Sequence, residues 1–373
     1  MSLLNKSGWL ALAGGLLAGG LLAQAPQSST TTTLKVVALA EDAPVHVVAT
    51  DQGNSTASPR GGAVVVDIHS TLTLKNTGTR RVRGITLLVT AQEVTAGGRG
   101  SVTVPSLDVA PGDSFTVKID LQLLRPMASG GALAEVSVDG LLFDDLQFYG
   151  PNKLNSRRML TVWELEARRD RKYFAGILAT QGAGALKDQM VTSLDRQSRQ
   201  PSVQVARGRV SAMEPARTME FAFVRVPDSP VEAVSGRALV TATDVRSPRI
   251  ELKNVSSRPV RQVELGWIVR ERSGQEFYAA ALPAKVALAP GETAAAPEEV
   301  SMRLTGKNGQ AIAIEGLRSF VSNVEFADGG VWVAPRAGLE GLTRVSPEEE
   351  RLAQIYRKKG LNALITELKK FER

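Results

Sequence analysis

The chain has 373 residues, 43% of them hydrophobic and 22% charged, which is room for about two or three domains and excludes a wholly disordered polymer. It contains no cysteine and two histidines, which removes disulfide scaffolds, thiolate metal sites, thiol redox chemistry and lipidated cysteine anchors. The formal net charge of +7 raises nucleic acid as a partner only for an intracellular chain, so it has to be read together with the address of the protein.

The amino terminus supplies that address. Lys6 precedes an uncharged run from Trp9 to Leu22, closed by Ala23-Gln24-Ala25. A basic start, an apolar stretch and a small-x-small site predict a secretory signal peptide over 1–25, and hence export to the periplasm or cell surface. Pro26 directly after the scissile bond hinders cleavage, and an uncut segment would be the single source of membrane contact. The apolar run is short of the roughly 20 residues that a spanning helix needs. Residues 26–33 form a polar tether. Export removes nucleic acid from the partners.

Residues 34–151 read as strands. Ile85, Leu87, Val89 and Ala91 alternate with Thr86, Leu88, Thr90 and Gln92, and Phe115, Val117, Ile119 and Leu121 alternate around Thr116, Lys118 and Asp120. This period of two predicts sheets with one face buried. Asp51 to Gly62 reads as a Gly-, Ser- and Asn-rich loop. His46 and His69 fall on separate strands, with Asp67 on the His69 face, and are expected as surface histidines rather than a metal pair. Asp144-Asp145 and Glu41-Asp42 lack the spaced ligand loop of a calcium site and read as loop acids.

The connector, 152–218, differs in character. Leu160, Trp163, Ala167, Phe174 and Leu178 share one helical stripe, widened by Met159, Val162 and Ile177. The stripe is expected to pack on one sandwich. Arg157, Arg158, Arg168, Arg169, Arg171 and Lys172 cover the other face and are the candidate contact for an anionic partner. Glu164 and Glu166, two apart on a helix, point different ways, which argues against a glycosidase-type carboxylate pair. Gly182 and Gly184 end or kink the helix, a second helical stretch runs from Ala185 to Arg196, and Val203 to Val210 reads as a strand. The connector holds 13 basic and 6 acidic residues, so the excess charge of the whole chain is local to it.

Residues 219–336 repeat the first unit. Leu72-Thr-Leu-Lys-Asn76 recurs as Ile250-Glu-Leu-Lys-Asn254 at a register of 178, and Arg80, Val82, Arg83, Ile85 and Leu87 match Arg258, Val260, Arg261, Val263 and Leu265. Ala110-Pro-Gly-Asp113 matches Ala289-Pro-Gly-Glu292, Asp42-Ala-Pro-Val45 matches Asp228-Ser-Pro-Val231, and Phe148-Tyr-Gly-Pro151 aligns with Trp332-Val-Ala-Pro335. Short strands with regular turn signals predict two β-sandwiches. In the tail, 337–373, Ser346-Pro347-Glu348-Glu349 predicts a capped helix to Lys359, and Gly360 separates it from a second helix. The pair is expected as a lid on the second sandwich.

The order of a Leu-Lys-Asn strand end, a Gly or Ser turn, Val-Arg, an alternating strand and Ala-Pro-Gly-Asp/Glu resembles bacterial extracytoplasmic Ig-like modules of the cell-adhesion-related type. Trp267 approximates the buried strand-C tryptophan of that fold, and Val89 takes its place in the first copy. The resemblance implies adhesion, spacing or partner binding. The expected fold class is mainly β: two Ig-like β-sandwich domains joined by a helical connector, with C-terminal helices.

No Gly-x-Ser-x-Gly elbow, His-Glu-x-x-His motif, phosphate loop or dinucleotide fingerprint occurs. No catalytic residue, cofactor or metal ligand is therefore assigned. The expectation is a non-enzymatic exported envelope protein that serves as an interaction, adhesion or scaffolding module, with an envelope protein or an anionic surface polymer as partner. The alternatives are a periplasmic chaperone-like assembly factor and a carbohydrate-binding accessory protein that would use Trp267, Trp332, Phe148, Tyr149, Phe277 and Tyr278 as platforms.

Overall fold

A computed structural model describes residues 30–31, 34–36, 41–93, 97–127, 132–199, 202–207, 215–284, 286–297, 300–305, 309–336, 338–339 and 341–371. The signal-peptide segment, 1–25, lies outside the described residues. The chain is mainly β. Its first ten strands are β1 (Thr30–Thr31), β2 (Leu34–Val36), β3 (Val45–Asp51), β4 (Thr56–Arg60), β5 (Ala63–Asn76), β6 (Val82–Thr90), β7 (Arg99–Val104), β8 (Ser114–Pro126), β9 (Ala134–Phe143) and β10 (Phe148–Tyr149). Helix α1 (Ser156–Arg199) follows, then β11 (Ser202–Arg207), β12 (Arg217–Glu220), β13 (Ala222–Phe223), β14 (Val231–Val240), β15 (Asp244–Asn254) and β16 (Val260–Glu271). The chain continues through β17 (Glu276–Ala284), β18 (Thr293–Pro297), β19 (Val300–Thr305), β20 (Ile314–Phe326), β21 (Val331–Val333), α2 (Pro347–Lys359) and α3 (Leu361–Lys369).

The first ten strands form two sheets. In one, β5 pairs with β3 and β4 along one edge and with β8 along the other, while the second has the order β10-β9-β6-β7 with β2 parallel to β9. Ile68, Leu72, Val117 and Ile119 from the one meet Ile85, Leu87, Val136 and Leu141 from the other in a single core. Strands β11 to β21 build a second pair of sheets, β11-β19-β15-β14-β12 and β13-β20-β16-β17, around a core centred on Trp267. The β13–β20 pairing is parallel, as β2–β9 is.

Equivalent turns close both sandwiches with the same bonds. The backbone N–H of Asn76 donates to Asp113 and that of Gly112 to Asn76; Asn254 pairs likewise with Glu292 and Gly291, all at 2.8–2.9 Å. Gly112 and Gly291 have φ of 86° and 77°, a region that glycine enters without steric cost. At the far end, the N–H of Phe143 donates to Gln147 and that of Phe326 to Gly330, an offset of 183. Tyr149 therefore corresponds to Trp332, one residue away from the sequence alignment above.

Three expectations are corrected here. Residues 56–60 of the supposed loop form β4, because Gly61 and Gly62, at φ 57° and 84°, make a two-residue hairpin turn that folds the segment onto Ala63–Asp67. Strands β6, β9 and β16 are not buried on one face only: Gly84 and Thr86 of β6 are buried along with Ile85 and Leu87, Leu142 of β9 along with Leu141, and Gly266 and Ile268 along with Leu265 and Trp267. Their second faces are covered, β6 and β9 by α1 and β16 by a cluster containing Val226, Phe320 and Leu339. Finally, α2 and α3 pack on α1 rather than lying as a lid on the second sandwich. Phe174, Ile177, Leu186 and Met190 of α1 share one core with Leu352, Ala353, Leu364 and Leu368, so the stripe of α1 is divided between sandwich and helices.

Candidate functional site

Helix α1 organises the charged residues of the molecule. Its start is fixed by the first sandwich: Asp139 on β9 accepts from Ser156 Oγ at 2.7 Å, and Asn152 Oδ1 accepts from the N–H of Arg157 at 2.9 Å. Leu160 then lies so close to β6 that a Cβ on Gly84 would come within 2.7 Å of its Cδ2. A larger residue at that position would have to displace the Leu160 side chain. Gly182, with φ 84° and ψ 179°, kinks the helix, and residues on both sides of the kink pack against α2 and α3.

The six predicted cations do not form one exposed face. Arg158 is inserted between the helix and the second sandwich, where Nη2 donates to Asn323 Oδ1 at 2.6 Å and ion pairs reach Glu264 at 3.3 Å and Glu325 at 3.1 Å. Arg169 pairs with the fully buried Asp170 at 2.9 Å and donates to the carbonyl of Ala334 at 3.0 Å. Arg171, buried, joins Glu164 at 2.9 Å and Glu348 at 3.4 Å. Arg157, Arg168 and Lys172 are exposed. An arginine head group loses its hydration when an apolar helix face docks, and it stays charged only where carboxylates meet it. That explains why the three inward cations each have one.

Around this helix runs a network of ion pairs that periodicity does not reveal. Asp170 also meets Arg336 at 3.3 Å and accepts from Ser346 Oγ. Arg336 reaches Glu349 at 2.9 Å, Arg196 pairs with Glu349, and Arg351 links Glu348 at 2.7 Å to Glu367 at 2.6 Å. Ser346 caps α2 as its sequence predicts, accepting from the N–H of Glu349 at 3.0 Å. The same hydroxyl that caps the helix thus ties it to α1.

Among the described residues, cavities adjoin α1. One, of about 470 Å³, opens between β6, α1 and α3. Arg83, Arg168, Arg171 and Lys172 converge on it, with Asp144 and Glu164 as its acids and Phe371 as its aromatic wall. The guanidinium of Arg171 lies 4.3 Å and that of Arg83 5.2 Å from the Phe371 ring centre. Burial lowers the pKa of Arg83, against the attraction of Glu164 and Asp108. Arg83 Nε and Glu164 Oε2 are buried there without a hydrogen-bond partner. Arg83 had appeared in the sequence only as a repeat match, and nothing local marked it as part of a site. A smaller cavity of about 190 Å³ lies beside Tyr278, Arg196 and Arg344.

Glu164 and Glu166 face opposite ways, as two-residue spacing requires. Glu164 serves Arg168 and Arg171, whereas Glu166 lies toward Glu264 and Tyr278 of the second sandwich. Burial lifts its carboxyl to about 7, with Arg169 opposing and Asp170 and Glu264 adding to the rise. His69 sits between Asp67 at 3.4 Å and Asp120 at 3.1 Å, and His46 pairs across β5 with Lys75, six residues away from His69. Among the described residues no group of three or more His, Asp or Glu is placed to hold a metal ion. Of the aromatic candidates, Trp267 is buried in the core against Phe221, and Trp332 and Tyr278 pack on the cluster around Phe320.

No family model matches the chain, and no curated protein matches it. Among solved structures it is similar to a red sea bream transglutaminase, at 9% identity and a TM-score of 0.13 over 78% of this chain and 31% of that one. A β-glucosidase from Kluyveromyces marxianus is similar at 9% identity and a TM-score of 0.14, over 70% of this chain and 45% of that one. The chain thus spans less than half of either protein. No helix among the described residues is long and apolar enough to cross a membrane.

Proposed function

We propose that the protein is a non-enzymatic, exported envelope protein in which a tandem of Ig-like sandwiches acts as an interaction or scaffolding module. One observation carries this reading: α1 is bonded to both sandwiches at once. Leu160 presses on Gly84 of the first, and two residues earlier Arg158 is held by Glu264 and Glu325 of the second. A helix anchored on both sides fixes the spacing of the two units, which is what a scaffold requires and a hinged tandem lacks. The exposed cations Arg157, Arg168 and Lys172 provide the contact for an acidic envelope partner.

The β3 edge favours this over a chaperone-like reading. Strand β3 is an edge of its sheet and is interrupted by a register shift at Val48; its counterpart β14 is shifted at Val234 and is covered by β12 along Arg237–Val240. Bulges of this kind twist an edge away from further pairing, whereas strand complementation needs a regular edge.

The test is retention of the purified full chain on immobilised envelope proteins as salt is raised. Salt-sensitive retention, lost in the combined Arg157→Ala, Arg168→Ala and Lys172→Ala variant, is expected. Retention that is identical for the variant would overturn the proposed contact. For export, residues 1–33 fused to a reporter active only outside the cytoplasm are expected to give signal, and a silent fusion would count against it.

A further inference from the structure

The cavity between β6, α1 and α3 has features that select its ligand. Its charged lining is four cations, Arg83, Arg168, Arg171 and Lys172, against two acids, Asp144 and Glu164. Three of the cations already have carboxylate partners: Arg83 has Asp108 at 2.7 Å, Arg168 has Glu164 at 3.0 Å, and Arg171 has Glu164 at 2.9 Å. Lys172 has no ion pair among the described residues, and Arg83 Nε, 3.9 Å from Glu164 Oε1, is a buried donor without a hydrogen bond. The remaining wall is apolar, made by Ala175, Leu368 and the Phe371 ring.

An anion that fills this space has to satisfy unmet donors while lying beside two carboxylates. A phosphate dianion would bring its two charges and several acceptor oxygens against Asp144 and Glu164, where like charges repel. A single carboxylate carries one charge and one planar acceptor face, and an aliphatic stem behind it would lie on Phe371 and Leu368. The volume of about 470 Å³ falls in the range of small-ligand sites. We propose that this cavity binds a monocarboxylate borne on a short apolar stem, supplied either by an acidic side chain of a partner segment or by a free aliphatic acid. The proposal rests on the anionic-contact reading above and names its chemistry.

Calorimetric titration of the full chain tests it with four probes: hexanoate, a capped Leu-Glu dipeptide, hexanol and inorganic phosphate. Hexanoate or the capped dipeptide is expected to bind about tenfold tighter than both hexanol and phosphate, since one well-placed charge contact is worth roughly that factor. The tighter of the two carboxylates identifies the source. Lys172→Glu, at an exposed position with no ion pair to lose, is expected to abolish the preference while leaving the unfolding midpoint unchanged. Hexanol binding as tightly as hexanoate would overturn the proposal, as would phosphate binding the tightest. Either result leaves salt-sensitive envelope retention standing if that is observed, so the two readings fail separately.

Discussion

Asn76 and Asn254, 178 positions apart, make the same pair of side-chain bonds. Each side-chain nitrogen donates to the carbonyl four residues onward, Arg80 at 2.9 Å and Arg258 at 2.8 Å, and to a carbonyl across the sandwich, Val109 and Leu288 at 3.1 Å each. Both asparagines are fully buried. The side chain closes a turn and joins the two sheets in one step, which gives the Leu-Lys-Asn strand end its physical meaning.

Replacing Asn76 by alanine removes two side-chain donors, one to the part-buried Arg80 carbonyl and one to the Val109 carbonyl, which keeps its bond from the Val82 N–H, and the expected loss is about 1–2 kcal/mol. Asn254→Ala is expected to cost the same. The two sites share no partner, so the double variant should show the sum. Denaturant midpoints of the three variants check this, and a cost well below 1 kcal/mol at either site would show that water replaces the lost donor.

Glu166 gives the molecule a stability change near neutrality. Its folded carboxyl stands at about 7 against an ordinary 4.5, so the folded state holds a proton that the unfolded chain releases. Stability from this group is fully present below pH 4.5 and is lost as pH rises toward 7. A shift of that size corresponds to about 3 kcal/mol. Glu166→Gln, which imitates the protonated form, is expected to raise the unfolding midpoint above pH 7 and to leave it unchanged at pH 4. Equal effects at both pH values would assign the change to packing.

Arg158 bridges α1 to β16 and β20. Arg158→Met keeps the aliphatic stem and removes the charge, leaving Glu264 and Glu325 without their shared partner at an expected cost of about 3 kcal/mol. Adding Glu264→Gln and Glu325→Gln is expected to recover most of that loss. Limited proteolysis between α1 and the second sandwich should follow the same order, fast in the single variant and slow in the triple. A triple variant no more stable than the single one would contradict the ion-pair account.

Two glycines of α1 are expected to respond in opposite directions to alanine. Gly182 has φ 84° and ψ 179°, and a Cβ there would meet nothing within 4 Å. Its cost is therefore one of backbone conformation alone, about 1–3 kcal/mol. Gly176, exposed and likewise uncrowded, lies within helix, and alanine should add about 0.5–1 kcal/mol. Thermal melts of both variants decide it, and a stabilised Gly182→Ala would mean that the kink is not needed.

Much of the architecture was legible because it is local. The strict alternation of β8, the Pro-Gly turns, the Ser346 cap, the breaks at Gly182 and Gly360 and the matching Asn76 and Asn254 segments all follow from side-chain period or backbone freedom. The hairpin at Gly61-Gly62 was also written in the sequence, but the polar composition of residues 51–62 concealed it. The burial of Thr86 and Ile268 was not legible, since period-two reasoning assigns them to solvent until another element covers that face.

The sequence by itself determined the repeated strand and turn segments, the cap of α2 and the helix breaks at Gly182 and Gly360, and that the basic excess resides in the connector, because those properties depend on neighbours within a few positions. Only the tertiary structure decided which arginines of that connector meet solvent. Arg158 and Glu264 are 106 residues apart, and Arg171 and Glu348 are 177 apart. A charge is buried or exposed according to what folds against it. The same helix that reads as one basic face in sequence is therefore divided into an inward clasp of ion pairs and an outward remnant around Lys172.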